Sequence, residues 1–382
     1  MSTLKGAKKV LYDLRKKGYE GYIVGGAVRD HLLRQPLTDV DITTNAKPIQ
    51  VSKMFITKPT GLKYGTVTVL MGEETFEVTT YRIDGEYTDG RHPDLVAFSD
   101  NVEEDVKRRD FTINGLLMNE REEIIDYVGG KMDLAAQIIR TIGNPEDRFN
   151  EDALRMMRAF YFQAKLGFQI DRATRDAITE MKDKLKMVAM ERIMNELIKM
   201  LKGPHVRKAL QTMITTGVHK VLPGLEKGIE YAATMEEIPF IDAFFTLSFL
   251  LNGSIPSEWP FSNKHRHKYE TAIMLASKYK EFDPYTLYTY GLDLCLLANK
   301  ANFMLNRSRN MKTKIESDYE NLPIQSDLDL KLRATDMIKL TNKKAGSWVK
   351  TLQTEMVIEV LNNRLENEKD ALERYVQTHV KE

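Results

Sequence analysis

The 382-residue sequence lacks the features that mark secreted and membrane-spanning proteins. It has a single cysteine, Cys295, so an internal disulfide framework is excluded and a reducing compartment is expected. No segment approaches the roughly 18 consecutive apolar residues of a membrane helix. The start of the chain, MSTLKGAKKV, has no apolar signal region. We therefore expect a cytoplasmic protein that does not interact with a membrane.

The sequence also lacks an excess of one charge sign. Lys and Arg number 56, Asp and Glu number 55, and the formal net charge is +1. This balance neither indicates nor excludes a nucleic-acid ligand, because local patches do the binding. A basic run between residues 300 and 350 is the predicted RNA contact, although a solvated helix face would explain it equally well. The residues predicted to bind RNA are Arg307, Arg309, Lys312, Lys314, Lys343 and Lys344.

The texture of the sequence changes near residue 145. Before that point, short segments rich in β-branched residues indicate strands, and GTVTVLM followed by ETFEVTTYR predicts a hairpin. The other predicted strands lie in 18–26, 38–44 and 123–130, and the predicted helices span 4–18 and 27–34. Beyond residue 145, beginning with a helix over 151–168, nearly every segment has apolar residues at helical spacing. The sequence thus predicts an α/β head followed by an all-α body.

Two aspartates in the segment TDVDITT, Asp39 and Asp41, are separated by one residue. Side chains alternate along a strand, so the two carboxylates are expected on the same side. Two close like charges are costly unless a cation lies between them, and Mg²⁺ is a cation that takes carboxylates together with phosphate oxygens. Glu77 in the predicted hairpin is a possible third ligand. A solvated edge strand is the plain alternative for an isolated Asp-x-Asp.

The residues just before this pair point to a phosphate. Gly25 and Gly26 allow backbone N–H groups to approach a phosphate, and Arg29 offers a guanidinium fork. The segment contains neither GxGxxG nor GxxxxGK[ST], so it matches neither a dinucleotide fingerprint nor a P-loop. Glycine pair, arginine and acidic pair together indicate a metal-bound nucleoside triphosphate and a phosphoryl or nucleotidyl transfer.

At this point the sequence resembles the class II tRNA nucleotidyltransferases of bacterial type, the CCA-adding enzymes. The first match is VGGAVRD with DVD, and four further stretches follow in the order of the family. They are RRDFTINGL at 108–116, DYVGGKMDL at 126–134, EDALRMMR at 151–158 and MERIMNELIKML at 190–201. Weaker matches continue to GSWV at 346–349, so the resemblance covers nearly the whole chain.

The resemblance implies a polymerase-β-like α/β nucleotidyltransferase head followed by an all-α neck, body and tail. The corresponding ranges are 1–140 for the catalytic head, 141–205 for the nucleotide-templating neck, 206–298 for the body and 299–382 for the tRNA-binding tail. It also implies the partners tRNA, CTP and ATP and a monomer or homodimer. Asp39 and Asp41 match the ligands of two Mg²⁺ ions. Residues matched to nucleotide binding are Gly25, Gly26, Arg29, Arg109, Asp110, Asn114, Asp152, Arg155, Arg158 and Tyr161.

Within this set the resemblance implies particular roles. Gly26, Arg29 and Arg109 match triphosphate contacts, and Asp110 matches a residue that senses the ribose 2′-hydroxyl. For Arg108 and Arg109 together, a solvated helix start would otherwise be the better interpretation.

The pair Asp152 and Arg155 predicts a base-reading site made of protein alone. The two residues are three apart, which would place them on one helix face. Asp offers only acceptors and Arg only donors, and this polarity fits the amino group and ring nitrogen of cytosine and adenine. Uracil and guanine present the opposite polarity, and buried polar groups left unpaired are costly. A surface ion pair is the alternative for these two residues taken alone.

Two positions depart from the family pattern. Tyr161 stands where the family often has another arginine, so a contact there is missing or replaced by stacking. Gly115 stands where the family commonly has alanine, which would loosen the site.

Three alternatives to CCA addition stay open at the level of sequence. The polar segment 82–98 reads as a mobile loop of the kind that CCA-adding members carry, but an enzyme that adds only A would keep it too. A bacterial poly(A) polymerase is the second alternative, although the long basic C-terminal extension that would favour it is absent. A non-catalytic RNA-binding module is the third, and the intact acidic pair argues against it.

Overall fold

The computed structural model describes residues 3–84, 96–238 and 240–380. The chain divides into two compact units. Unit 1 comprises the residues up to Ile238 together with Glu258–Pro260, and unit 2 comprises the remainder. The α/β elements all lie in unit 1, so the expected α/β head followed by helices is confirmed. The finer division into head, neck, body and tail stays a prediction.

A seven-stranded mixed sheet forms the framework of the N-terminal half of unit 1. Its strands follow in the order β3-β4-β5-β2-β1-β8-β9, in which β2 and β5 are parallel and the other neighbours are antiparallel. Two further pairs of strands are β6 with β7 and β10 with β11. The strands are β1 Gly21–Val24, β2 Asp41–Thr44, β3 Thr57–Gly61, β4 Thr66–Met71, β5 Glu74–Thr80, β6 Arg82–Asp84, β7 Val96–Phe98, β8 Leu116–Met118, β9 Ile124–Asp126, β10 Ile138–Ile139 and β11 Gln169–Ile170.

The predicted hairpin is confirmed as β4 and β5. Val67, Val69, Phe76 and Val78 alternate with more exposed residues and are buried, which is the period-two pattern of a sheet with one face in the core. Gly72 takes a positive φ of 66° in the turn, where a glycine avoids strain.

Two strands of the sheet were not predicted. Strand β3 contains Pro59, which argues against a strand by composition, but β3 lies at the edge of the sheet where a proline is tolerated. Strand β8 is only three residues long and wholly buried, so it has no alternation to recognise.

Helices make up the rest of unit 1. The predicted helices 4–18 and 27–34 are confirmed, although each begins one residue earlier and ends two residues earlier than predicted. Gly18 adopts a φ of 82° just after the first of them. Short 3₁₀ segments lie at Leu62–Tyr64, Thr112–Asn114, Lys182–Met187 and Val218–Lys220. The α-helices are α1 Thr3–Lys16, α2 Gly26–Leu32, α3 Pro48–Met54, α4 Val102–Lys107, α5 Gly130–Ala136, α6 Pro145–Glu151, α7 Leu154–Leu166, α8 Arg172–Met181, α9 Met190–Leu201, α10 Val206–Thr215 and α11 Glu226–Thr234.

The single helix predicted over 151–168 is wrong at its start. Helix α6 ends at Glu151 and α7 begins at Leu154, so Asp152 lies between two helices with an extended backbone at φ −148° and ψ 101°. The carboxylate of Asp152 accepts a hydrogen bond from the Leu154 backbone N–H at 3.0 Å. Such a local bond competes with helix formation and explains the break. The apolar periodicity continues through this point, so it did not reveal the break.

Unit 2 is helical throughout its described residues. Its helices are α12 Ile241–Asn252, α13 Asn263–Lys278, α14 Pro284–Met304, α15 Lys312–Glu320, α16 Ala334–Thr341, α17 Ser347–Leu361 and α18 Lys369–His379, with a 3₁₀ turn at Asp327–Asp329. Cys295 is buried in an apolar cluster with Leu275, Leu287 and Ile315. Of the helices in the described ranges, none combines the length and apolarity that crossing a bilayer requires.

Candidate active site

A cleft of about 860 Å³ in unit 1 is lined by residues of the early glycine, arginine and aspartate motif and by residues of the later motifs. The predicted metal and nucleotide residues that line it are Gly25, Gly26, Arg29, Asp39, Asp41, Arg109, Asp110, Asn114, Asp152, Arg155, Arg158 and Tyr161. These residues come from positions more than 130 apart in the chain. The fold therefore gathers the dispersed motifs around one space.

The glycine pair lies where strand β1 meets helix α2. Gly25 adopts φ 70° and ψ −133°, a backbone conformation that residues with a side chain rarely adopt, and α2 begins at Gly26. A Cβ on Gly25 would lie 3.5 Å from Nη1 of Arg109, and one on Gly26 would lie 3.3 Å from Nη2 of Arg29. The absence of side chains here lets two guanidinium groups approach the backbone.

The acidic pair lies at the start of strand β2. Val40 is 3% exposed, whereas Asp39 and Asp41 on either side of it are exposed, as expected from strand alternation. Strand β5 runs parallel with Ile42 opposite Val78, and this register places Glu77 beside Asp41.

The electrostatics of the acidic pair fit a cation. Although the Asp41 side chain still reaches solvent, its partial desolvation by the surrounding protein raises its pKa. The charges of Glu77 and Asp39 raise this pKa further, and the charge of Arg109 opposes them. The carboxylates thus repel one another in the protein alone. A donor set made only of carboxylate oxygens fits a hard divalent cation.

The segment RRDFTINGL is fixed by a buried aspartate. Asp105 has no exposed surface and accepts hydrogen bonds from Arg108 at 2.7 Å and Arg109 at 3.1 Å. Burial alone would raise the pKa of Asp105, but the charges of Arg109 and Arg108 hold it below its usual value. The alternative of a solvated helix start is therefore wrong for this pair, which follows α4 and is anchored to it.

Asp110 is likewise held inside a network. It accepts hydrogen bonds from Arg158 Nε at 2.7 Å, Asn114 Nδ2 at 3.1 Å and the Phe111 backbone N–H at 2.7 Å. Burial alone would raise its pKa, but Arg158 and these bonds keep the pKa below the ordinary value. Asn114 also accepts a bond from Arg29, which is only 2% exposed. Asp110 and Arg29 therefore reach the cleft as parts of one bonded cluster.

The base-reading pair does not lie on one helix face. Asp152 lies between α6 and α7, and its carboxylate is paired with Arg192 of α9 through Nη2 at 2.8 Å and Nη1 at 3.3 Å. Arg155 donates to Glu151 at 2.6 Å and to the backbone carbonyls of Arg148 at 3.2 Å and Arg108 at 3.0 Å. Both side chains line the cleft, but each is held by its own partners.

The two departures from the family pattern occupy filled space. The Tyr161 ring lies 4.9 Å from the Phe162 ring, and Lys199 Nζ lies 5.9 Å from the Tyr161 ring centroid. A Cβ on Gly115 would lie 2.7 Å from Val128 Cγ2 and 3.0 Å from Ile142 Cδ1. The expectation that Gly115 loosens the site is therefore wrong in its physical basis, because its neighbours already fill the space of an alanine methyl group.

Several lining residues were missed from the sequence. Arg192 lies in a stretch quoted for its resemblance but was not singled out, and its pairing spans 40 positions. Arg108 stood beside Arg109 and could have been found by that adjacency. The missed lining residues are Asp30, Thr38, Tyr64, Arg82, Arg108, Leu154, Phe162, Lys165, Arg192 and Lys199. With them, the basic side chains of the cleft outnumber the acidic ones, as a triphosphate requires.

Part of the predicted loop lies outside the described residues. Its flanks are β6 and β7, which pair antiparallel with Arg82 opposite Phe98. Arg82 lines the cleft and donates to the Tyr64 carbonyl at 2.9 Å. The segment 85–95 is not described.

The residues predicted to bind RNA lie in unit 2, between α14 and α17. Lys314 pairs with Glu281 at 2.9 Å, and Lys312 lines a second cavity of about 520 Å³ among α12–α15. Arg307, Arg309 and Lys344 are exposed. Their role in binding RNA stays a prediction.

Three family models match successive parts of the chain. Residues 21–140 match the Poly A polymerase head domain, residues 167–229 match the probable RNA and SrmB-binding site of polymerase A, and residues 243–376 match the putative domain 2 of tRNA nucleotidyltransferase.

Full-length relatives share one description. The chain is 37% identical to the CCA-adding enzyme of Bacillus cytotoxicus, with 99% of each chain covered, and 37% identical to that of Bacillus subtilis, with 97% of each covered. Among solved structures, the CCA-adding enzyme of Bacillus stearothermophilus in complex with CTP is 33% identical with a TM-score of 0.87, covering 99% of this chain and 98% of that one. The Thermotoga maritima CCA-adding enzyme with tRNA is 18% identical with a TM-score of 0.66, covers 97% of this chain and 94% of that one, and shows the fold alone.

Proposed function

The chain belongs to the CCA-adding enzymes, the tRNA nucleotidyltransferases that build the CCA 3′ end from CTP and ATP without a template, and we propose that the cleft of unit 1 performs this reaction. In each step the 3′-hydroxyl oxygen of the tRNA bonds to the α-phosphorus of the nucleotide, and pyrophosphate leaves. The observation that carries the proposal is that the acidic pair and the base-reading pair line the same cleft.

The family is metal-dependent, and we infer that Mg²⁺ is the metal. Asp39 and Asp41 would hold it, with Glu77 beside Asp41 as a third carboxylate. Bound Mg²⁺ neutralises the triphosphate and favours ionisation of the attacking hydroxyl. The protein's own contribution here is to fix the carboxylate oxygens at the edge of strand β2.

The triphosphate is assigned to the basic side of the cleft. Arg109, which is anchored by Asp105, places its Nη1 next to the Gly25 backbone, so phosphate oxygens could meet this guanidinium together with backbone N–H groups. Arg29 is bonded within the Asp110 cluster and supplies positive charge from below the surface. Asp110 accepts three hydrogen bonds and is also contacted by Arg158 Nη2, so a bond to the ribose 2′-hydroxyl would have to share an oxygen that is already engaged.

The base is assigned to Asp152 and Arg155. Three of the five N–H donors of Arg155 are taken by Glu151 and two carbonyls, so two are left for a ring nitrogen. Asp152 accepts from the exocyclic amino group of cytosine or adenine. Uracil and guanine would direct a carbonyl oxygen at the carboxylate, which costs a buried unpaired group.

One assay tests the function and separates it from its alternatives. Transcripts of one tRNA that lack CCA, end in C or end in CC are each incubated with one nucleotide at a time and with CTP plus ATP, and the products are sequenced. We expect C, C and A to be added in order and addition to stop there. Addition of A to the CC-ended tRNA alone would indicate an A-adding enzyme, and A tails on an unrelated RNA would indicate a poly(A) polymerase. Binding with no addition would indicate a non-catalytic module.

Two further assignments concern the location and the assembly of the protein. We place the protein in the cytoplasm, in agreement with its tRNA substrate and its one buried thiol, Cys295. A monomer or homodimer is the proposed oligomeric state, to be measured by light scattering.

A further inference from the structure

The hydrogen bonds of the Asp152 carboxylate use most of its acceptor capacity. Oδ1 accepts from the Leu154 backbone N–H at 3.0 Å and from Arg192 Nη1 at 3.3 Å, and Oδ2 accepts from Arg192 Nη2 at 2.8 Å. A carboxylate has about four lone-pair positions, two on each oxygen. Oδ1 is therefore fully used, and Oδ2 retains one position.

Arg192 is held on a rigid support. It lies in α9, which packs along α7, and the next residue, Ile193, is buried together with Leu197 one turn further on. The Arg192 side chain is only 20% exposed and the Asp152 side chain only 16%. Two N–H groups of Arg192 donate side by side to the two carboxylate oxygens of Asp152. This arrangement fixes the plane of the carboxylate, and a lysine does not reproduce it.

Asp152 needs such support because its own backbone does little to fix the direction of its side chain. It lies between α6 and α7 with extended dihedrals, so no helix fixes its side-chain direction. A single backbone N–H would leave the carboxylate free to turn about its χ2 torsion. The second partner, 40 positions along the chain, removes that freedom.

We propose that Arg192 is a positioning residue for nucleotide selection, which orients Asp152 so that a lone pair on Oδ2 is the one that reads the amino group of cytosine or adenine. This inference rests on the proposed function of the cleft. Its consequence concerns selectivity more than rate. A fixed carboxylate bonds a correctly placed amino group and repels the carbonyl oxygen of uracil, whereas a carboxylate that can turn away does neither well.

The test compares kcat/KM for CTP and UTP on a tRNA that lacks CCA. Arg192→Met removes the fork while keeping an unbranched side chain, and Arg192→Lys keeps the charge but not the paired geometry. Loss of an ionic hydrogen bond in a semi-buried site lowers discrimination by about tenfold or more. We expect Arg192→Met to narrow the preference for CTP over UTP by that factor and Arg192→Lys to narrow it less. Arg172→Met is the matched control, since that arginine is 88% exposed and its partner oxygen is 3.6 Å away.

A double-mutant cycle shows whether Arg192 acts through Asp152. If it does, Arg192→Met added to Asp152→Ala should change the CTP-to-UTP ratio little beyond the effect of Asp152→Ala alone. Should the methionine variant not fold, the lysine variant carries the same comparison.

The outcomes separate this inference from the proposed function. A wild-type enzyme that does not prefer CTP and ATP to UTP would contradict the proposed function itself. A selective wild type whose Arg192 variants lose rate equally for CTP, ATP and UTP, together with a lower Tm, would show that Arg192 only holds α9 against α7. That result would overturn the inference and leave the function standing.

Discussion

Among single residues, the proposed reaction depends most on Asp39 and Asp41. Asp39→Ala or Asp41→Ala should abolish nucleotide addition while leaving the fold and tRNA binding largely intact, because the exposed pair supports no packing. Rates are measured by primer extension at saturating Mg²⁺, with circular dichroism and a filter-binding assay as controls. Retention of more than a few per cent of the wild-type rate by either variant would show that the metal is held elsewhere.

Asp110 should stabilise the fold in a pH-dependent manner. Asp110→Asn leaves the Arg158 charge without its partner in a site that is largely buried, at a cost on the order of 3 kcal/mol in the free energy of unfolding. Because the folded pKa of Asp110 is below its ordinary 3.8, this stabilisation is present at neutral pH and is lost only as the pH falls below about 4.

Urea unfolding of the wild type and Asp110→Asn between pH 7 and pH 3.5 measures this difference. We expect a constant gap from pH 7 to 5 that shrinks below pH 4. Asp176→Asn, at an exposed position, is the control. A gap that widens as the pH falls would mean that folding raises the pKa of Asp110, which contradicts the role of Arg158 as its ionic partner.

At this scale the sequence predicts which residue types face the cleft better than it predicts their partners. Asp152 and Arg155 were identified from one motif, but Asp152 also pairs with Arg192, 40 positions away, and Arg155 donates to the Arg108 carbonyl, 47 positions away. Pairings across 40 or more positions depend on how helices pack, which a local pattern does not contain.

Gly115, the residue just before strand β8, is closely packed against its neighbours. Gly115→Ala should lower the free energy of unfolding by about 1–3 kcal/mol, because the new methyl group overlaps Val128 and Ile142. Thermal and urea unfolding measure the loss. Val128→Ala in the same chain opens the space, so the double variant should lose less than the sum of the single losses. Strict additivity would show that the two side chains do not compete for that space.

The segment between β6 and β7 is predicted to affect the addition of A. Shortening residues 84–92 should spare the addition of C and selectively damage the addition of A, because a mobile loop, which the sequence predicts for this segment, can help the base-reading pair shift to seat the larger purine. Single-turnover rates of C and A addition on matched tRNAs measure this. Equal loss of both activities would indicate a general structural role.

Elements with a strong local pattern were predicted well, and elements set by tertiary context were not. The β4–β5 hairpin has alternation and a glycine turn, and it is present as expected. Strand β3 was not predicted because Pro59 is acceptable only at the edge of a sheet. The break at Asp152 was not predicted because the apolar spacing continues through it. The place of β3 at the sheet edge is set outside its own segment, whereas the break at Asp152 involves a local bond from the Leu154 backbone N–H that apolar spacing does not encode.

For the whole molecule, unit 2 is predicted to bind tRNA phosphates. Charge reversal of Lys343 and Lys344 should reduce the slope of log K against log salt concentration by about 0.7–0.9 for each phosphate that is no longer neutralised. Lys312→Glu and Lys314→Glu provide a comparison within the same basic run. An unchanged slope for the Lys343 and Lys344 variant would place the RNA elsewhere on the protein.

We propose that the protein itself selects C and A, through Asp152 and Arg155 in the cleft. The most direct measurement sequences the 3′ ends that the wild type and Asp152→Ala add to a tRNA lacking CCA when all four nucleoside triphosphates are present at equal concentration. Loss of a charge-assisted hydrogen bond worth roughly 1.5–3 kcal/mol should relax discrimination by about one to two orders of magnitude. We predict CCA ends from the wild type and a marked fraction of uridine-containing ends from the variant. Fewer ends from the variant, all of them still CCA, would contradict the claim, because Asp152 would then hold the helices in place without reading the base.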